Sequence, residues 1–182
     1  MTSVLKDHKF SIVFDWFDQG KDGRLTQDDF QATARMFAQV AREDDHATVT
    51  ALHDAFDAWW GLVLEHGDTD GDGGVSREEF ITVMQVNVTA PEHFDGAVMA
   101  IADAVINALD TDDDGVLSLD EYVRLFEALG IPREFAREAF AKLDRDGDGT
   151  VSHTEFRQAI SDFYLSADPD APGNYLLGPV SP

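Results

Sequence analysis

Four acidic segments begin at Asp18, Asp68, Asp110 and Asp144 and read DQGKDGRLTQDDF, DTDGDGGVSREEF, DTDDDGVLSLDEY and DRDGDGTVSHTEF. Counted from its first Asp, each of the last three has an acid at positions 1, 3 and 5, Gly at 6, an aliphatic at 8, Ser at 9, Glu at 12 and an aromatic at 13. The first segment departs mainly at position 3, where Gly20 stands, and at position 12, where Asp29 replaces Glu. Carboxylates concentrated in this way attract cations. The chain contains no cysteine, so a metal must be held by oxygen or His, and disulfides and thiol nucleophiles are excluded.

The recurring pattern resembles the EF-hand family, and it is specific because so many constrained positions repeat at one spacing. The resemblance implies Ca²⁺, a hard ion that takes six to eight oxygens at about 2.3–2.6 Å. A twelve-residue loop can wrap round it, with side chains at 1, 3 and 5, the backbone carbonyl at 7 and both carboxylate oxygens of Glu at 12. Carried onto this sequence, the ligands are Asp68, Asp70, Asp72, the Gly74 carbonyl and Glu79 in the second loop. In the third they are Asp110, Asp112, Asp114, Val116 and Glu121, and in the fourth Asp144, Asp146, Asp148, Thr150 and Glu155. The first loop offers Asp18, Asp22, the Arg24 carbonyl and Asp29. A carboxylate one methylene shorter should reach an ion with one oxygen, leaving a smaller shell closer to what Mg²⁺ accepts. Three strong calcium sites are therefore expected, together with a weak or Mg²⁺-tolerant first site.

The same residues set the local structure. Gly at position 6 allows the positive φ of a sharp turn. Ser76, Ser118 and Ser152 each precede a Glu by three residues, a capping box that starts the exiting helix where the metal loop ends. The aliphatic residues at position 8 (Leu25, Val75, Leu117 and Val151) suit a short extended stretch through which loops pair, so four loops should form two pairs.

Helical spacing of apolar residues brackets every loop. Phe10, Val13, Phe14 and Phe17 enter the first, and Phe30, Ala34, Phe37 and Ala41 leave it. Leu52, Phe56, Trp59, Trp60 and Val63 enter the second, followed by Phe80, Val83 and Met84. Thr89 and Glu92 read as a capping box, with Pro91 in the first turn of a helix bearing Phe94, Val98, Ile101, Val105 and Leu109. Gly130 should stop the next helix and Pro132 open the last entering one. The loop starts lie 50, 42 and 34 residues apart, which calls for a long helix leaving the first loop, an acidic elbow near residues 42–46 and a long helix entering the second. No linker rich in Pro, Gly or Ser separates the halves. Beyond Tyr164, prolines forbid a further helix, and Tyr175, Leu176, Leu177 and Val180 would be exposed together unless the tail docks. The expected fold is all-α: four EF-hands in two pairs packed into one compact globule, short β-bridges between paired loops and an irregular C-terminal tail. Its divisions are residues 1–88, 89–165 and 166–182.

The balance of 36 acidic against 13 basic residues gives a formal charge of −23, unfavourable for nucleic acid or anionic membranes. Fifteen of those acids are the ligands named above, so much of the charge is repulsion that a bound cation relieves. No apolar run is long enough to span a bilayer, and an export signal is lacking, so a cytoplasmic, monomeric protein is expected.

Spacing and tail look most like the sarcoplasmic calcium-binding proteins and their bacterial calerythrin-like relatives. That resemblance implies a calcium buffer with Mg²⁺ as a competitor. One alternative is a calmodulin-like sensor gripping a target protein, for which four Met residues are few. Another is a photoprotein or luciferin-binding relative, with Trp16, Trp59, Trp60 and scattered His residues lining a cavity, although His53 on the second entering helix reads as an ordinary satisfied or exposed residue. Neither H-E-x-x-H nor a phosphate-cradling glycine loop occurs, so an enzyme is not expected.

Overall fold

Serine hydroxyls and glutamate carboxylates start most of the exiting helices. In the computed structural model, which describes residues 2–176 and 178, Oγ of Ser76, Ser118 and Ser152 accepts from the N–H of Glu79, Glu121 and Glu155 at 3.4, 3.3 and 3.2 Å. Each glutamate returns the bond by accepting from the serine N–H at 2.9, 3.0 and 2.9 Å. The capping boxes expected from the spacing are thus formed. The resulting order is α1 (Thr2–Phe17), β1 (Arg24–Leu25), α2 (Gln27–Ala38), α3 (His46–Gly67), β2 (Val75–Ser76) and α4 (Arg77–Val83). A π-helical turn (Met84–Val88) continues α4, and α5 (Pro91–Phe94) passes through a second (Asp95–Met99) into α6 (Ala100–Leu109). There follow β3 (Val116–Leu117), α7 (Leu119–Ala128), α8 (Arg133–Leu143), β4 (Val151–Ser152), α9 (His153–Leu165) and a 3₁₀ turn (Pro172–Tyr175). No helix among the described residues is long and apolar enough to cross a membrane.

The position-8 residues pair as their type suggests. Leu25 faces Val75 across β1–β2 and Leu117 faces Val151 across β3–β4, both antiparallel, so the first loop is joined to the second and the third to the fourth. All four of these side chains are fully buried, which places the bridges over the core. A β-branched or aliphatic side chain suits this half-strand because it packs below while the backbone bonds sideways.

Helix ends follow the glycine and proline signals with two corrections. Gly130 adopts φ 69°, and Ile131 N–H reaches Phe126 O at 2.8 Å while Gly130 N–H reaches Glu127 O at 3.1 Å, the Schellman closure of α7. The capping box expected from Thr89 and Glu92 does not form. Ala90 is the residue before α5, and the Thr89 hydroxyl donates backwards to Met84 O at 2.9 Å and Gln85 O at 3.2 Å. The π turn supplies acceptors nearer to Thr89 than the start of the next helix, so its hydroxyl closes one element instead of opening another. The helix leaving the first loop is also shorter than expected: α2 stops at Ala38, before Ala41, and the long element is α3 with 22 residues. Asp45 caps α3 by accepting from Thr48 N–H at 3.0 Å.

Aromatic packing fills the first half. Phe17 stacks on Phe30 at a 4.5 Å centroid separation and meets Trp59 edge-on at 5.1 Å, while Trp60 lies 5.2 Å from Phe30. Burial of such rings dominates core energetics. The cluster is continuous with Val98, Val105, Leu125 and Phe156 from the second half, so both halves share one core. Lys9 on α1 ties them further: its Nζ donates to Ser166 O at 3.1 Å beyond α9, although the residue is fully buried.

The segment after α9 lies on the helical body as far as it is described. Leu176 is 1% exposed, and its carbonyl accepts from the Tyr122 hydroxyl at 2.7 Å. Gly173 sits so close to α9 that a Cβ there would stand 2.2 Å from Ala159 O. Leu177 and Val180 lie outside the described residues.

Candidate metal centres

Each loop begins where its entering helix stops. Asp68, Asp110 and Asp144 are the capping residues of α3, α6 and α8, and Asp18 N–H still bonds to Phe14 O at the end of α1. In all four loops the first Asp folds the chain round itself. Its Oδ1 accepts the N–H at position 5 (Asp22, Asp72, Asp114 and Asp148) at 3.1, 3.1, 3.2 and 3.1 Å. Its Oδ2 accepts the N–H at position 6, from Gly23, Gly73, Gly115 and Gly149, at 2.9–3.0 Å. These glycines have φ between 81° and 87°, a conformation that a side chain would strain. The position-5 carboxylates accept in turn from the N–H at position 7, of Arg24, Gly74, Val116 and Thr150, all near 3 Å, which fixes the peptides there.

The loops differ at position 12. Glu79 spans its loop: Oε2 takes the Ser76 cap while Oε1 takes Thr69 N–H at 3.1 Å and Thr69 Oγ1 at 2.6 Å. Glu121 does the same with Thr111 N–H at 2.9 Å, and Glu155 with Arg145 N–H at 2.8 Å. Asp29 accepts from the Thr26 N–H and hydroxyl at 2.9 and 2.8 Å, but Gln19 N–H at position 2 bonds instead to Phe17 O at 2.7 Å. The shorter side chain stays on its own side of the loop.

Carboxylate oxygens converge in three loops, and the position-12 Glu belongs to the group in the third and fourth but not in the second. Asp68, Asp70 and Asp72 offer oxygens within 4.8 Å of one another, as do Asp110, Asp112 and Glu121, and Asp144, Asp146 and Glu155. Among the described residues the first loop forms no such group. Asp18, Asp110 and Glu121 are buried, whereas Asp70 and Asp72 face solvent. Such all-oxygen donor sets fit a hard divalent cation, with Ca²⁺ favoured by many ligands and a flexible shell.

The electrostatics match. Glu79 is held down to about 2, chiefly by the Thr69 hydroxyl and then the Ser76 N–H, both of which stabilise the charged form. Burial alone would raise Glu121, but donors from Ser118 and Thr111 outweigh it and its pKa is lowered. Asp112 goes the other way: desolvation first, then the negative charges of Asp114, Glu121 and Asp110, raise it against the opposing Asp114 N–H. Like charges held together in this way store repulsion that a divalent ion would relieve.

Sequence reasoning missed the arginines. Arg24 of the first loop pairs with Asp72 of the second, and Arg42 of the elbow reaches Asp113 at 2.8 Å and Thr111 O at 3.1 Å in the third. Neither contact leaves a local signature, because each depends on pairing between distant segments. The N–H at position 2 was also missed, although Thr in that position of two loops hints at its role.

Helix–loop–helix units joined in pairs through short antiparallel strands, with an acid-lined turn in each, define the EF-hand class of calcium-binding proteins. Models of the EF-hand domain pair match residues 9–85 and 102–129, and the EF hand domain model matches residues 135–163. The chain is 32% identical to a sarcoplasmic calcium-binding protein of Perinereis vancaurica tetradentata, the match covering 94% of this chain and 96% of the relative. It is 26% identical to calerythrin of Saccharopolyspora erythraea, over 91% and 95% of the two chains. A solved Streptomyces coelicolor calcium-binding protein, described in prokaryotic calcium-mediated regulation, superposes with a TM-score of 0.71 at 30% identity over 90% of this chain and 99% of that one. The chain belongs to the EF-hand calcium-binding proteins, of the sarcoplasmic and calerythrin type.

Proposed function

We propose that the protein is an intracellular, monomeric Ca²⁺ buffer with three strong sites and a weaker first site open to Mg²⁺. The ligands are those named for each loop, and the halves 1–88 and 89–165 each contribute one pair, with 166–182 as the covering tail. The observation that carries the ranking is the difference at position 12. Glu79, Glu121 and Glu155 hold the cap with one carboxylate oxygen and reach position 2 across the loop with the other, whereas Asp29 engages its cap alone. Calorimetric titration of metal-free protein, with and without Mg²⁺, tests this: three tight sites and one weak, Mg²⁺-sensitive site are expected, and four equal calcium sites overturn the ranking.

Support for buffering comes from surface that is already covered. A sensor exposes a Met-rich groove on binding, but Met84 and Met99 are buried in the shared core and Leu176 lies over it. The regulatory alternative draws on the Streptomyces relative. It predicts a large calcium-induced rise in the fluorescence of a dye for apolar surface, where the buffer reading predicts little change. A luciferin-binding role finds a cavity of about 70 Å³ lined by Trp16, Phe56, Trp59, Val105 and Tyr164 without any His. Trp59 Nε1 is buried and has no hydrogen-bond partner among the described residues. That volume is on the order of a few waters, so saturable binding of a coelenterazine-type ligand is not expected.

A further inference from the structure

The first loop has no acid at position 3, and its position-7 residue is a cation. Pairing of Arg24 with Ser76 across β1–β2 sets this residue beside the second loop. Its guanidinium Nη2 contacts Oδ1 of Asp72, the position-5 carboxylate of that loop. Gly74 makes the approach possible, since a Cβ there would stand 2.5 Å from Arg24 Nη2 and 2.9 Å from Nε. The second pair of loops lacks this arrangement. Val116 occupies the place of Arg24, and Asp148 takes the Thr150 hydroxyl at 2.7 Å instead of a guanidinium.

We propose that Arg24 is a built-in competitor for calcium at the second loop, lent by the first. A carboxylate oxygen that holds a guanidinium is less available to an incoming ion, and a positive charge fixed beside the loop repels a second one. Both partners are half-exposed, their side chains retaining 45% and 43% of their accessible surface, so Arg24 can swing into water when the ion arrives. The ion is therefore bound against a standing opponent. The third loop has cations of its own, with Arg124 3.9 Å from Glu121 Oε1 and Arg42 on Asp113. The second loop becomes weaker than the fourth although both have the same four carboxylates. It is also more responsive to salt than the fourth, because exposed ion pairs are screened. Occupation of the second loop releases Arg24, so the two loops of the first pair communicate through one side chain.

This inference rests on the second loop being a calcium site, and one experiment separates the two claims. The isotope-labelled full chain is titrated with calcium against a competing chelator. The amides of Gly73 and Gly149, which donate to Asp68 and Asp144, are followed by NMR as reporters of loops two and four. Arg24→Gln removes the cation, and Gly74→Ala displaces it without changing charge. Val116 and Thr150 at the same position show that a side chain there is compatible with the loop. Both variants should tighten the second loop about three- to tenfold, the range expected from losing one exposed pair and its repulsion, and leave the fourth within about twofold. Arg35→Gln, an equal charge change on the exposed side of α2, should move neither. A second-loop affinity unaltered in either variant, or tightened as much by Arg35→Gln, overturns the role of Arg24. A Gly73 amide indifferent to calcium in the unaltered protein instead removes the calcium-site reading of that loop.

Discussion

Asp29→Glu tests the ranking of the loops at the single atom group that sets it. In the unaltered first loop Asp29 Oδ2 holds the Thr26 cap, and the N–H of Gln19 turns to Phe17 O. In the other loops the added methylene carries Oε1 across to the N–H at position 2, at 2.8–3.1 Å. One C–C bond extends the reach by about 1.5 Å, enough to present both oxygens to an ion at the loop centre. A charged oxygen contact of this kind is worth about 1.5–3 kcal/mol net, which corresponds to at least about a tenfold gain in affinity. Gly20 still withholds the position-3 ligand, so the variant should remain weaker than the third and fourth loops, and Gly20→Asp combined with Asp29→Glu should approach them. The gain should favour Ca²⁺ over Mg²⁺, because the smaller ion demands a tight octahedron that a two-oxygen carboxylate spoils. Calorimetry with each ion, backed by the Gly23 amide as a site reporter, reads both effects. An unchanged calcium affinity, or an equal gain for Mg²⁺, would refute the argument that side-chain length at position 12 decides the site.

Lys9 is fully buried, and desolvation, followed by the charge of Lys6, lowers its pKa from an ordinary 10.5 to about 8 against the opposing pull of Asp162 and Asp168. Between those values the unfolded chain holds a proton that the folded chain has released. Stability should therefore rise by about 2 kcal/mol from pH 8 to pH 10, and be lost again as pH falls towards 8; Lys9→Met should abolish the rise in urea titrations, and an equal slope in both proteins would disprove it. Gly173→Ala should unseat the tail because its Cβ would meet backbone at 2.2 Å, whereas Gly96→Ala, with nothing within 4 Å, should leave the melting temperature unchanged or raised. Leu176→Ala should cost about 2–3 kcal/mol and increase dye binding, and a melting temperature within a degree of the unaltered protein would show that the tail contributes nothing. Each site filled to a hundred times its Kd adds about 2.7 kcal/mol, so chelation should lower the melting temperature by well over ten degrees, and a chelator-insensitive melt would count against functional loops.

Much of the site could be read from a single chain because a metal loop is local. Twelve consecutive residues supply the carboxylates, the glycine turn and the cap of the next helix, so the positions of Asp68, Gly73, Ser76 and Glu79 already specify their hydrogen bonds. Pairing through Leu25, Val75, Leu117 and Val151 was legible for the same reason, since one aliphatic residue at a constant offset marks each short strand. Element ends were less legible. Thr89 and Glu92 have the spacing of a capping box, yet the preceding π turn offered closer acceptors, and local spacing carries no record of such competition.

What the sequence determined by itself is therefore the calcium-binding pattern: carboxylates at fixed intervals, a first loop that departs from the others at positions 3 and 12, and an excess of negative charge. Only the tertiary structure decided which cations sit beside the acidic loops and what covers the core. Arg24 lies 48 residues from Asp72, Arg42 lies 71 from Asp113, and Tyr122 lies 54 from Leu176. Lys9 is buried against a segment 157 residues away. Coordination within a loop depends on the reach of neighbouring side chains, whereas these contacts depend on how helices pack, and packing is settled by the whole chain at once.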